Sequence, residues 1–244
     1  MHLEQLTGRA DMHIHTNVSD GIAPVHQVLD HIARHTHLNV IAITDHDRLD
    51  ASLWAYEHRA RYPFEIVPGL EVTTREGHVL ALWVTQPIPR ALSLKETVAA
   101  IHAQGGIAII AHPIEPTIDF AAARRHLFDP AGLINSEIDA IEVFNAGAFT
   151  PGCNWLAQRV YQDRGITLVG NSDAHMPSSI GSGITRFRGS TAADLRDSLA
   201  NGWTAVEGKR WHITTYLKLL RTGIQWTLSA SSRAKLPSTH PTPL

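Results

Sequence analysis

An α/β fold whose mostly parallel sheet closes into a barrel is what this 244-residue sequence predicts. Short apolar, β-branched runs alternate with helical patterns along nearly the whole chain, the order that builds parallel sheets. About seven such runs occur, enough to close a barrel. Polar, chemistry-bearing residues recur where those runs end, which is the rim on which parallel barrels build active sites.

Strands are expected near Ala10–Thr16, Asn39–Asp45, Glu65–Thr73, His78–Val84, Ile107–His112, Ala140–Asn145 and Thr167–Asp173. Each is bounded by Gly, Pro, Asn or Asp, residues that end strands. The first helix, Pro24–Leu38, opens with proline in its first turn and sets Val25, Val28, Leu29 and Ile32 on one face. Only Thr74-Arg75-Glu76-Gly77 separates the third and fourth strands. That is too short for a parallel crossover and reads as a hairpin, the one joint expected to break the parallel order. Ser93 and Glu96 form a capping box for a helix that stops before Gly105 and Gly106. Thr191 and Asp194 repeat the start signal, and Gly202 follows that helix. A last helix is expected over Ile213–Leu228, with Tyr216, Leu217, Leu220, Ile224 and Trp226 apolar. The organisation reads as one barrel domain over 1–210, a C-terminal helix over 211–230 and a flexible tail over 231–244.

Composition excludes several classes. Lys and Arg number 21 against 23 Asp and Glu, and the net charge of -2 argues against broad electrostatic binding to nucleic-acid backbone. A single cysteine, Cys153, excludes a disulfide scaffold and a thiolate zinc cluster and fits a reducing compartment. No apolar leader core and no run of ~18 apolar residues occurs, so a cytoplasmic location is expected and a membrane span is not. Histidine is in excess, with 16 copies against 1 Cys, 3 Met, 4 Tyr and 6 Phe. Neutral imidazole is a common metal ligand and general base.

The strand ends carry the chemistry. His13 and His15 are two apart on the first strand and leave it on one face. Asp20 follows in the loop; His46, in Thr44-Asp45-His46, closes the second strand; Glu71 lies near the end of the third. His78 opens the fourth strand, and the hairpin returns it to the same end as Glu71. His112 closes the fifth strand, and Asp173 and His175 close the last. Singly, each has a bland explanation as a helix cap, a strand exit or a hydrogen-bonded histidine. Jointly, those explanations require every one to fall on the same rim by accident. Catalytic zinc commonly takes three protein ligands, so nine ligands suit three ions, or two with fuller shells. Imidazole and carboxylate without thiolate suit Zn, Mn or Fe. The remaining histidines, among them His26, His31, His35, His37, His58, His102 and His126, lie on expected helices and read mostly as solvated or packing residues. Arg186, in the segment after the last of these motifs, and Asn145, ending the sixth strand, are candidates to bind substrate.

In order, His13-Ile14-His15, Asp20, Thr44-Asp45-His46, Gly69-Leu70-Glu71, His78, Ala111-His112-Pro113 and Ser172-Asp173-Ala174-His175 resemble the successive motifs of the PHP (polymerase and histidinol phosphatase) family. The resemblance spans residues 10–207. It implies a distorted (β/α)7 barrel with a trinuclear metal centre, loaded with two to three divalent ions (Mn, Zn or Fe), that hydrolyses phosphate esters by attack of a metal-bound hydroxide. By that resemblance His13, His15, Glu71 and Asp173 hold the first ion. Glu71, His78 and His112 hold the second, with Glu71 bridging, and Asp20, His46 and His175 hold the third. Glu71, Asp173 and His175 are then the candidates for catalysis. Relatives resembling histidinol phosphatase often carry His where this chain has Asp20, whereas nucleotide-directed and polymerase-domain relatives often carry Asp. Residues 113–172 leave no room for the large insertion of some nucleotide-directed members. The expected partner is a small phosphorylated substrate, a nucleotide or a short oligonucleotide, with no obligate protein partner. Two other readings stay open: a histidinol phosphate phosphatase, and a non-catalytic, metal-stabilised PHP module.

Overall fold

The computed structural model describes residues 5–219 and 221. The strands are β1 (Gly8–Asp11), β2 (Val40–Ile43), β3 (Glu65–Thr74), β4 (Gly77–Leu82), β5 (Ile107–Ile110), β6 (Ala140–Asn145), β7 (Thr167–Asn171), β8 (Gly183–Phe187) and β9 (Thr204–Gly208). The helices are α1 (Val25–His35), α2 (Asp50–Glu57), α3 (Leu94–Ala103), α4 (Phe120–Phe128), α5 (Pro130–Ile134), α6 (Cys153–Tyr161) and α7 (Ala192–Asn201). All the strands belong to one sheet, in the order β7-β6-β5-β4-β3-β2-β1-β8-β9.

Local sequence accounts for the elements. β2 reads Val-Ile-Ala-Ile and is buried throughout, as a strand covered on both faces must be. In α1, Val28, Leu29 and Ile32 are buried on one face against Ile41, Ile43 and Ile66 of the sheet. Burying each of these side chains contributes roughly 1.5–3 kcal/mol. Both hydrogen bonds of the Ser93–Glu96 capping box are present, as are those of Thr191–Asp194. Gly202 ends α7 at φ 67°, in the left-handed region where a side chain is strained.

The parallel pairs are β1–β2, β2–β3, β5–β6 and β6–β7. The expected hairpin is present, with Thr73 opposite His78. One reversed joint was too few: β4 is antiparallel to β5 as well as to β3, and β8 is antiparallel to β1 and β9. The count of seven strands is likewise corrected to nine among the described residues. β8 (Gly-Ile-Thr-Arg-Phe) and β9 (Thr-Ala-Val-Glu-Gly) are five residues each and lack an apolar run, so neither stands out in the sequence.

These last two strands bring the sheet back to its first edge. Thr185 Oγ1 accepts from the Gly170 N–H at 3.1 Å and donates to the Gly170 carbonyl at 2.9 Å, and Thr204 Oγ1 donates to the Leu168 carbonyl at 2.8 Å. Hydroxyls thus stitch β8 and β9 to β7 and nearly close the barrel. Gly183 permits the approach, because a Cβ there would collide with the Asn171 carbonyl. The barrel unit ends at Trp211. Of the expected last helix, residues 213–219 and 221 are helical; the rest of it, and the expected tail over 231–244, lie outside the described residues.

Candidate metal centre

Beyond Asp11 the chain leaves β1 still extended. His15 N–H donates to the Ala174 carbonyl at 2.9 Å and Ala174 N–H to the His13 carbonyl at 3.2 Å, making a bridge of Ile14 to Ala174. Ile14 therefore points into the core, and His13 and His15 turn together to the other side. A second bridge joins His46 to Glu71. The hairpin and the end of β5 deliver His78 and His112 to the same oxygen of Glu71. His112 (φ 29°) and Asp173 (φ 51°) adopt left-handed backbone conformations. For residues with side chains these cost about 1–3 kcal/mol each, strain that clusters at functional sites.

All nine sequence-predicted ligands meet. Glu71, 1% exposed, lies at the centre. Its Oε2 is 3.2 Å from His13 Nε2, 3.3 Å from His15 Nε2 and 3.2 Å from His46 Nδ1. Its Oε1 is 3.0 Å from His78 Nδ1 and 3.1 Å from His112 Nε2. Asp173 Oδ1 lies 3.4 Å from His13 Nε2 and 3.2 Å from His15 Nε2. On the open side, His175 Nε2 is 2.9 Å and His46 Nε2 3.8 Å from Asp20 Oδ2.

Convergence of unsatisfied imidazole and carboxylate atoms distinguishes this cluster from an ordinary ion-pair network, where isolated orphans such as Arg9 Nε and Arg186 Nε also occur. His13 Nε2, His15 Nε2 and Glu71 Oε2 are buried without a well-formed hydrogen bond. Buried polar groups are almost always paired, so three converging orphans require an account. Each of the two Nε2 atoms stands 3.2–3.4 Å from Glu71 Oε2 and from Asp173 Oδ1. Ligand atoms about 2.0–2.1 Å from a tetrahedral ion stand about 3.3–3.4 Å apart, so the residues fit a divalent cation. Among the described residues four groups of ligand atoms lie close enough to share an ion, and His46 takes part in two: one with His15, Asp20 and His175, the other with Glu71 and His78.

The electrostatics match. Burial opposes ionisation of Glu71, yet His13 and His46 and the hydrogen bond from His112 hold it well below the usual carboxylate range. Asp173 is likewise held well below its ordinary value, burial being overcome by His13, His15 and His175. Burial works against protonation of His13, but the charges of Asp173, Glu71 and Glu142 raise it well above the ordinary histidine value. His175, also opposed by burial, is raised to about 9 by Asp20 and Asp173. His13 and His175 thus favour protonation in these surroundings, whereas burial lowers His46.

The two substrate-binding candidates fare differently. Asn145 reaches the cluster from behind: its Nδ2 donates to Glu142 at 2.9 Å and to Asp173 Oδ2 at 3.0 Å, so the amide steadies a ligand. Arg186 is not brought there. On β8 it lies opposite Arg9, near the start of β1, and its guanidinium donates to Glu207 at 2.9 Å and to the Leu6 carbonyl. The reversal of β8 carries it to the far end of the barrel.

Residues not singled out as part of the site hold it in place. Asp45 accepts from Thr16 N–H at 2.7 Å, Thr16 Oγ1 at 2.7 Å and Ser19 Oγ at 2.6 Å, fixing the loop that carries Asp20. Glu142 bonds His13 Nδ1 at 3.0 Å and Asn171 Nδ2 at 2.9 Å. Its signal in the sequence is a glutamate inside the otherwise apolar start of Ala-Ile-Glu-Val-Phe-Asn, a charge no covered strand accepts without a partner.

A barrel with a buried histidine–carboxylate cluster at the C-terminal end of its parallel strands, able to bind metal, defines the class. The PHP-associated family matches residues 151–204. An uncharacterised protein of Methanocaldococcus jannaschii, MJ1587, is 32% identical over 149 residues, covering 57% of this chain and 82% of that one. Among solved structures, a two-domain protein from Bacteroides vulgatus containing a predicted PHP-like metal-dependent phosphoesterase superposes with a TM-score of 0.67 at 20% identity. That match covers 82% of this chain and 64% of the other, so this chain spans less than two thirds of it. The lesion-specific endonuclease PfuEndoQ of Pyrococcus furiosus superposes with a TM-score of 0.59 at 18% identity, covering 82% of this chain and 57% of that one. The chain belongs to the PHP family.

Proposed function

We propose that this protein is a metal-dependent phosphoesterase that hydrolyses a phosphate ester of a small molecule, a nucleotide or a short oligonucleotide. The buried group of His13, His15 and Glu71, whose three converging atoms are orphans, with Asp173 Oδ1 beside both imidazoles, carries this reading. The names of the solved neighbours, a predicted phosphoesterase and an endonuclease, favour the same reaction class. Two to three divalent ions (Mn, Zn or Fe) are the expected cofactors, held by the nine residues in the groups described above. Bound there, such cations supply Lewis acidity toward phosphoryl oxygens and make water easier to deprotonate at neutral pH.

The chain's own residues do the rest. Glu71 turns one oxygen to His13 and His15 and the other to His78 and His112, so one carboxylate holds two neighbouring groups in register. Asp20, Glu71 and Asp173 carry fewer negative charges than two dications carry positive ones, which leaves the loaded site attractive to a phosphate dianion. Asp20 is half exposed and His46 partly so, whereas His13 and His15 are sealed. Substrate therefore approaches from the Asp20–His46–His175 side.

The test is manganese-loaded protein assayed against phosphomonoesters, nucleoside bisphosphates, short oligonucleotides and histidinol phosphate, with chelated protein alongside. Metal-dependent release of phosphate, or cleavage of a phosphodiester, from at least one class is expected. Fully loaded protein inactive on all of them would overturn the reading in favour of a metal-stabilised module.

A further inference from the structure

Glu142 is 1% exposed in β6, and four polar atoms converge on its carboxylate. Oε1 is 3.0 Å from His13 Nδ1 and 2.9 Å from Asn171 Nδ2. Oε2 is 2.9 Å from the His112 N–H and 2.9 Å from Asn145 Nδ2. Three of these partners have fixed identities. A peptide N–H only donates. Asn171 offers its Oδ1 to the Met12 N–H at 2.9 Å, which turns its NH₂ toward Glu142. Asn145 lies between two carboxylates, Glu142 and Asp173, and so presents nitrogen to both. An ionised carboxylate accepts at about four positions and donates at none. The fourth partner, His13 Nδ1, therefore carries hydrogen. In a neutral imidazole that leaves the lone pair on Nε2, the atom facing Glu71 Oε2 and Asp173 Oδ1.

We infer that Glu142 is a positioning residue that fixes His13 in the cation-binding tautomer and, through the His112 backbone and Asn145, aligns ligands in both groups that flank Glu71. The inference rests on the cation-binding part of the proposed function and not on hydrolysis. It makes Glu142→Gln informative beyond loss of charge. An amide NH₂ in place of Oε2 would face the His112 N–H and the Asn145 NH₂, neither of which can turn to accept. The NH₂ must therefore replace Oε1, where only His13 can accept, by moving its hydrogen to Nε2. That removes the lone pair from the cation site. Carboxylate–histidine pairs of this kind typically change metal affinity by about 10–100-fold.

The experiment uses the full chain with zinc, and reads affinity by chelator competition and the ring hydrogens by NMR of ¹⁵N-histidine-labelled protein. In zinc-loaded wild type, His13 is expected to keep its hydrogen on Nδ1. Glu142→Gln is expected to lose that signal and to bind zinc about 10–100-fold more weakly. Glu142→Asp, which keeps the acceptors, should retain the signal with a smaller loss. Tyr161→Phe, which removes a buried hydroxyl bond to the His126 carbonyl away from the cluster, should leave zinc affinity unchanged. Should Glu142→Gln fail to fold, the wild-type spectrum and Glu142→Asp decide. Hydrogen on Nε2 of His13 in the zinc-loaded wild type would overturn the inference. So would a Glu142→Gln protein with wild-type affinity, a Tyr161→Phe protein with the same loss, or a wild type that takes up no zinc. A zinc-binding protein inactive on every ester would sink only the hydrolytic reading.

Discussion

The two ends of the barrel treat charge in opposite ways. At the far end, Arg186 and Arg9 share the half-exposed Glu207 at 2.9 and 3.3 Å; the Nε of each arginine is buried without a hydrogen bond, but these two atoms belong to cations that already face an anion. At the rim, Glu71 and Asp173 are buried among histidines, and three polar atoms are left without a well-formed partner. A half-exposed network in which cation meets anion is balanced in charge and contributes little. A buried network of imidazoles and carboxylates whose orphan atoms converge is the kind able to hold a cation.

The sharpest way to break this comparison is Glu71→Gln. The shape persists but the charge between the two flanking groups is gone, so metal content by elemental analysis should fall and kcat should drop at least ~10²-fold, the scale of one strong transition-state stabiliser. A fully metallated, fully active variant would remove the central role of Glu71.

Asp20→Asn probes the open side alone. It should cost the cation held with His46 and His175 while sparing the buried group, so metal content falls by about one equivalent and not to zero. Loss of all metal would mean the groups fill as one unit.

Heating with and without chelator sharpens the contrast through pH. Burial disfavours the charged form of His175, yet Asp20 and Asp173 raise it from 6.5 to about 9. In cation-free protein the stabilisation from such pairs is fully present below pH 6.5 and disappears as pH rises through about 9. Cations must displace those protons, so binding strengthens over the same range. The Tm of chelated protein should therefore fall between pH 6.5 and 9 while the gap to metal-loaded protein widens. A constant gap would contradict the proton held on His175.

Arg186→Ala should do least. Metal content, KM and kcat should match wild type, and stability should change by about 1 kcal/mol or less, as for a partly exposed pair. A raised KM would return that arginine to the substrate.

The site was more legible than the sheet, and for a physical reason. Each ligand is a polar residue at the end of an apolar run, so periodicity and residue type mark the same spot. His78 became placeable once Thr74–Gly77 was read as a hairpin. Arg186 was misplaced because β8 carries too little apolar signal to be seen, and an unseen strand has no direction. Asn145 is visible as a polar strand end, but which way its amide faces depends on partners such as Glu142 and Asp173 that only the packed barrel supplies. Glu142 itself was passed over because one charge inside a strand is outvoted by its apolar neighbours.

The bridge between Ile14 and Ala174 has a consequence for how the protein comes to exist. It joins the first strand exit to the last ligand-bearing one, so the buried ligand set draws on both ends of the barrel's chain. During synthesis, His13 and His15 leave the ribosome long before Asp173, and no stretch of nascent chain ending before β7 contains the complete set. Pairings this distant in sequence are slow to form. A cation that needs the complete set of ligands therefore finds it only on a finished barrel. Excess metal should accordingly slow unfolding far more than it speeds refolding.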